Sequence, residues 1–209
     1  MIFKLFPIVA MLAMGAGAPA EKPAAASSPK DIKMMHDLAR CVVNRQEGQV
    51  RRLLAMDYRT NAYRGATYRM AKSASGCASF LGSLRMSNVL MAGSLAEAML
   101  AKNGGGVALS RRLAYDATAP AVEARDEGEY LGLCVARTMP EAVEALLRAA
   151  PESAEEKAGV ATLAPKLAPC VQAGASARIN RHGLRAILAL ASYRLTTLNS
   201  ADAPRPAKG

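Results

Sequence analysis

Residues 38–54, LARCVVNRQEGQVRRLL, and residues 131–147, LGLCVARTMPEAVEALL, carry one pattern twice: L-x-x-C-V, then V-x-x-L-L. Sliding the chain by 93 residues places Leu38 on Leu131, Cys41 on Cys134, Val42 on Val135, Val50 on Val143 and Leu53-Leu54 on Leu146-Leu147. The same offset places Cys77 on Cys170, so each leading Cys has a second one 36 residues on. Further along, Arg85 meets Arg178, and Leu95-Ala96 meets Leu188-Ala189. Between 38 and 100, 13 of 63 positions are identical. Ala matches are cheap in a chain with 44 Ala, but matches of Cys, Leu-Leu and Arg are not. The pattern reads as a tandem duplication, and a duplicated unit fixes where every other boundary should fall.

Local chemistry repeats with it. Thr60 aligns with Ser153 and Ser87 with Asn180, all residues that cap helix N-termini. Ser153-Ala-Glu-Glu156 has the spacing of a capping box. Pro140 sits just before a Val-x-x-Leu-Leu pattern, where Pro suits a first helical turn. Each unit therefore reads as four helices: about 32–45, 47–56, 61–73 and 88–102 in the first, and about 127–137, 140–149, 154–164 and 181–198 in the second. In the last helix Leu184, Leu188, Ala191, Leu195 and Leu198 form one apolar face.

Composition agrees. Of 209 residues 51% are hydrophobic, yet 4% are aromatic and none is Trp. That suits closely packed helices and not a β-sandwich, which needs β-branched and aromatic residues. It also excludes a disordered or collagen-like chain. The expected fold is all-α: two tandem disulfide-stapled helical repeats of about four helices each, over 31–102 and 126–198. The two units should bury their apolar faces against each other, side by side or about a pseudo-two-fold axis. A connector spans 103–125, where Asn103-Gly-Gly-Gly106 stops a helix and a short helix has room to follow. Residues 199–209 read as a disordered tail.

The N-terminus reads as an address. Lys4, an apolar run over 5–14 and Ala18-Pro19-Ala20 have the layout of a cleavable signal peptide over 1–20. The alternative is an uncleaved anchor, although the run falls short of the ~20 residues of a spanning helix. Residues 21–30 read as a linker. A periplasmic or secreted location follows, with a mature N-terminus near Glu21. In an oxidising compartment four Cys read as disulfides. Duplication favours Cys41–Cys77 with Cys134–Cys170, each unit keeping its own bond. Cys41–Cys134 with Cys77–Cys170 is also symmetric.

Catalytic and metal motifs are missing. His36 aligns with Glu129 and His182 with Val89, and neither has metal-ligand spacing. There is no G-x-S-x-G elbow. Ser27-Ser-Pro-Lys30 lacks the companions of an S-x-x-K enzyme, and Asn103-Gly-Gly-Gly is not followed by G-K-[ST]. Met34, Met35, Met86, Met91 and Met99 read as gap-fillers of an Ala-rich core rather than copper ligands. Glu155-Glu156 complements a helix dipole. No catalytic residue, metal or cofactor is expected.

Charge is unequally shared. The chain is +10, of which 31–102 holds a net +6 and 126–198 a net zero. Arg51, Arg52, Arg59, Arg64 and Arg69 are candidate anion-binding residues, and three of them form the pairs Tyr58-Arg59, Tyr63-Arg64 and Tyr68-Arg69 at a spacing of five. Arg beside an aromatic ring can grip phosphate and stack on a base. A spacing of five turns successive pairs ~140° apart on a helix, so a solvated Arg-rich face competes with that reading. Arg85 and Arg178, the only charged residues identical in the two units, read as structural arginines that satisfy carbonyls at an irregular turn or make a salt bridge inside each unit.

The duplicated pattern L-x-x-C-V, V-x-x-L-L, Cys, Arg, Leu-Ala behind a signal peptide resembles small exported proteins of unknown function from alphaproteobacteria. That resemblance implies no activity, substrate or catalytic residue. The expected function is a non-enzymatic exported protein that binds an unknown protein or envelope component, or has a structural role in the cell envelope. The alternative is an anion-binding module for nucleic acid, lipopolysaccharide or an acidic polymer on the basic first repeat. A third is an enzyme whose site no motif reveals, which a concave cluster of perturbed carboxylates or His would favour.

Overall fold

Helix starts are set by single capping residues, and they fall 93 residues apart. Thr60 Oγ1 accepts from Tyr63 N and opens the helix Asn61–Ser73, while Ser153 Oγ accepts from Glu156 N and opens Ala154–Leu163. Ser87 Oγ accepts from Leu90 N and opens Asn88–Lys102, while Asn180 Oδ1 accepts from Gly183 N and opens Arg181–Leu198. The computed structural model describes residues 28–74, 76–77, 87–114, 118, 121–172 and 179–198. The expected signal peptide, most of the linker, the tail, Arg85 and Arg178 lie outside them.

Among the described residues every regular element is a helix. They are α1 (Pro29–Ala55), α2 (Asn61–Ser73), α3 (Asn88–Lys102), the short α4 (Leu109–Leu113), α5 (Glu127–Thr138), α6 (Pro140–Arg148), α7 (Ala154–Leu163) and α8 (Arg181–Leu198). None is long and apolar enough to cross a membrane. A capping box between Ser28 and Asp31, with Pro29 in the first turn, starts α1 inside the expected linker. The two helices expected over 32–45 and 47–56 join as α1, but the break survives at Gln46, with φ −137° and ψ 40°. Met139 has φ −137° and ψ 51°, and there the chain separates fully into α5 and α6. Pro140 explains the difference, because it has no N–H with which to continue the helix. Past α7, Pro165 and Pro169 each sit in a 3-10 turn, over Ala164–Lys166 and Ala168–Cys170, and these deliver Cys170.

The disulfides are Cys41–Cys77 and Cys134–Cys170, with Cα atoms 5.9 and 5.6 Å apart. The symmetric alternative is excluded. Cys41–Cys77 ties α1 to the segment after α2, and Cys134–Cys170 ties α5 to the 3-10 turn that follows α7.

α3 and α8 form the central pair; α1 packs on α3 and α5 on α8. Approach at the centre is close enough to require glycine. A Cβ on Gly93 would lie 2.4 Å from Ala186 Cα, and one on Gly132 would lie 2.9 Å from the Ile187 carbonyl oxygen. Two apolar cores flank this centre, and α8 serves both. Ala189, Leu190 and Tyr193 join Leu38, Val42, Val50, Leu53 and Leu95. Leu184, Leu188, Ala191 and Leu195 join Leu131, Val135, Val143, Leu146 and Leu163.

The capping box expected at Ser153 is only half formed. Glu156 does not return to the Ser153 backbone; its Oε2 accepts from Glu152 N instead. The carboxylate is drawn inward toward two arginines, as follows.

Candidate functional site

Each central helix carries charge in apolar surroundings: Glu97 in α3, Arg185 in α8 between Leu184 and Ala186. Buried charge must be paired, and these two find each other. Arg185 Nε donates to Glu97 Oε2 at 2.8 Å and Nη2 to Oε1 at 2.7 Å, a forked pair. Arg185 Nη1 also donates to Glu156 Oε1 at 3.1 Å, and its Nη2 to the Ala149 carbonyl at 2.8 Å. Arg185 is 2% exposed and Glu156 0%. Arg125 Nη1 donates to the Met56 carbonyl at 2.9 Å. Met56 and Ala149 are 93 residues apart and each follows a helix C-terminus, so guanidinium groups satisfy both ends. That is the task the sequence suggested for Arg85 and Arg178.

The network continues outward in both directions. Arg181 donates to Glu152 at 2.5 Å and approaches Glu156 at 3.4 Å, and His182 Nε2 lies 3.1 Å from Glu152 Oε1. Glu152 holds a left-handed backbone, φ 69°. On the other side His36 Nδ1 lies 3.6 Å from Glu97 Oε1. Burial, aided by the Arg185 charge, lowers the His36 pKa to about 4, so this His is neutral at neutral pH. Burial raises the Glu97 carboxyl above its ordinary range, opposed by the Arg185 fork. Glu152, Glu156 and His182 bring three ligand-type atoms within 4.8 Å of one another. Arg181 and Arg185 already hold those carboxylates, so a cation would meet two guanidinium groups there.

His36, Ser94 and Glu97 also form part of the wall of a cleft of about 790 Å³. α1 and α3 bound it on one side; α4, α6 and the turn after α6 bound it on the other. The volume lies in the roughly 300–1,000 Å³ range of small-molecule sites. Leu100, Val107, Leu109 and Leu147 supply apolar lining; Lys33, Arg40, Arg112 and Arg148 supply positive charge. Arg40 is paired with Asp37, and Arg148 lies 3.2 Å from Glu144. Hydrogen bonds from Ser110 hold the Glu144 carboxyl below its ordinary range. Ser94 Oγ is buried with no hydrogen-bond partner.

The arginines singled out in the sequence lie elsewhere. Arg51 donates to Glu47 at 2.6 Å, Arg59 to Asp57 at 2.7 Å, and Arg64 to Asn61 at 2.7 Å. Lys102 and Arg51 hold the Glu47 pKa at about 2, and Arg59 holds Asp57 at about 2. Arg52 and Arg69 are exposed. The tyrosines do not share their surface: Tyr58 Oη donates to Asp126 at 2.9 Å, Tyr63 is 1% exposed, and Tyr68 is 70% exposed. The three Tyr-Arg pairs therefore make no common stacking face.

Sequence reasoning missed Glu97, Glu156, Arg185 and Arg112. The available signal was an isolated charge inside an otherwise apolar helix, visible for Glu97 in NVLMAGSLAEAMLAK. No protein-family model, curated protein or solved structure matches this chain.

Proposed function

We propose that this chain is an exported, non-enzymatic binding protein of the cell envelope, built from two copies of one disulfide-stapled helical unit, with its binding site in the cleft between them. Duplication is supported by paired features 93 residues apart: the disulfides, the Thr60/Ser153 and Ser87/Asn180 caps, and the Gln46/Met139 break. Gly93 and Ala186 are also 93 apart, and they touch at the crossing of α3 and α8. Equivalent residues meet each other only beside a two-fold axis, so the units pair about a pseudo-two-fold. Two disulfides fit an oxidising compartment outside the cytoplasm.

The cleft itself carries the functional reading. It has the size of a ligand site, and its wall is held by a forked pair between two central helices. Binding fits this wall better than catalysis. The wall does gather perturbed His36, Glu97 and Glu144, but both Glu97 oxygens accept from Arg185, and Glu144 accepts from Ser110 and pairs with Arg148, so its carboxylates are committed to holding the fold. A photocrosslinking amino acid at Val107, in the cleft, should capture an envelope component in the exporting cell. The same group at exposed Tyr130, outside the cleft, should not. Equal capture at both positions, or none at Val107, would overturn the proposal.

A second reading, binding of an anionic polymer on the first unit, draws on Arg52, Arg69 and Lys72, which are exposed along α1 and α2. Such binding should weaken steeply with ionic strength. Flat salt dependence would dispose of it.

A further inference from the structure

We propose that the cleft takes a small amphiphile, an oxyanion head on a short aliphatic body, and that Arg112 anchors the oxyanion. This rests on the cleft-binding reading above. Five described arginines are withdrawn from full exposure: Arg112, Arg125, Arg181, Arg185 and Arg194. Four of them hold a carboxylate: Arg125 and Arg194 hold Glu129 at 2.6 and 2.7 Å, Arg181 holds Glu152 at 2.5 Å, and Arg185 holds Glu97 at 2.7 Å. Arg112 holds none. Its Nη1 reaches the Leu100 carbonyl at 3.5 Å, the outer limit of a hydrogen bond. Burial lowers its pKa from the ordinary value, and no neighbouring acid opposes that shift. This protein pairs its other withdrawn guanidinium groups, so the exception stands out, and Arg112 lines the cleft.

The rest of the lining says what accompanies the charge. Val107 is 53% exposed, one of three large apolar residues so exposed among those described, and it borders the same cleft as Leu100, Leu109 and Leu147. Apolar surface left in water beside an uncompensated cation matches a ligand that is itself apolar at one end and anionic at the other. A guanidinium fork suits a carboxylate or a phosphate monoester, since both present two oxygens to its parallel N–H groups. Asp37 and Glu144 balance Arg40 and Arg148 in the cleft wall, which leaves Lys33 and Arg112 to oppose a cationic ligand.

The test is calorimetric titration of the exported protein with octanoate, octyl phosphate, octanol and octyltrimethylammonium, each below its micelle-forming concentration. At least one anion should bind saturably, with octanol roughly tenfold weaker or more and the cation not binding. The tighter of the two anions identifies the head group. Arg112→Gln should weaken anion binding by roughly tenfold or more, while Arg137→Gln, at an exposed position of α5 outside the cleft, leaves it unchanged. If Arg112→Gln fails to fold, Val107→Asp replaces it: at an exposed site it places a carboxylate in the cleft and should also repel the anion. Octanol binding as well as octanoate, anion binding indifferent to the cleft variant, or no binding by either anion would each overturn the inference. Failure to bind either anion, alongside selective capture at Val107, would leave the cleft-binding reading standing.

Discussion

Arg185 joins groups that the chain keeps far apart. It holds Glu97, 88 residues away, and Glu156, 29 away, together with the carbonyls at the end of α6. Glu156 is fully buried and has no water to fall back on if the arginine is removed, and Glu97 keeps only a partial edge on the cleft. Arg185→Met keeps most of the volume but leaves Glu97 without its guanidinium partner and fully buried Glu156 with Arg181 alone. Unfolding free energy should fall by about 3–5 kcal/mol, measured by urea titration at pH 7; a loss under 1 kcal/mol would refute the pairing. His36 gives the complementary pH test. Its pKa is lowered from 6.5 to about 4, so the unfolded chain takes up the proton first as pH falls. The stability it contributes is complete above pH 6.5 and is lost on the way down to about 4, by about 3 kcal/mol. Glu97 shifts the opposite way, but it is present in both proteins of the comparison. His36→Gln should therefore lose less stability than wild type between pH 7 and 4, and parallel profiles would contradict the burial of a neutral His. At this scale the sequence shows that Glu97 is isolated, but not its partner. Pairing across 88 residues is a property of how α3 and α8 cross, and no local pattern encodes it.

Helices were far more legible, because caps and breakers act within one turn. Ser28, Thr60, Ser87, Ser153 and Asn180 each satisfy an N–H group that their own helix leaves free. The start of α1 is less legible, because Ser28-Pro29 suits a polar linker and begins a helix equally well. The turns before Cys170 come from Pro165 and Pro169, which break the α-helix into two short 3-10 turns. Close helix packing sets a contrast between two glycines. Gly93→Ala would drive a Cβ to within 2.4 Å of Ala186 backbone, and no side-chain rotation can relieve that. Gly48→Ala in α1 would meet only the end of the Arg52 side chain, at 4.0 Å. Gly93→Ala should cost about 1–3 kcal/mol; Gly48→Ala should stabilise by up to about 1 kcal/mol through helix propensity. Thermal denaturation of the two variants should move in opposite directions. A neutral Gly93→Ala would mean that α3 and α8 are not held at this separation.

For the whole molecule, the two cores and the two disulfides make different claims about cooperativity. Each disulfide closes a loop of the same length inside its own half, with a sequence separation of 36. Taken alone, that predicts two separately stapled units. Packing predicts otherwise, because α8 completes both cores and its Arg185 fastens α3 to the α6–α7 turn. A half cannot unfold without stripping apolar cover and a counter-charge from the other. The combined expectation is specific. Replacing Cys41 and Cys77 by Ser should cost about 4 kcal/mol, and replacing Cys134 and Cys170 should cost about the same, because loop-closure entropy depends on length alone in the chain-entropy model. Either variant should still unfold in one transition, with calorimetric and van't Hoff enthalpies equal. Two resolved transitions, with only the one belonging to the altered half moving, would show that the centre built by α3 and α8 is too weak to couple the units. The cleft between them would then lack the fixed wall that the proposed binding role requires.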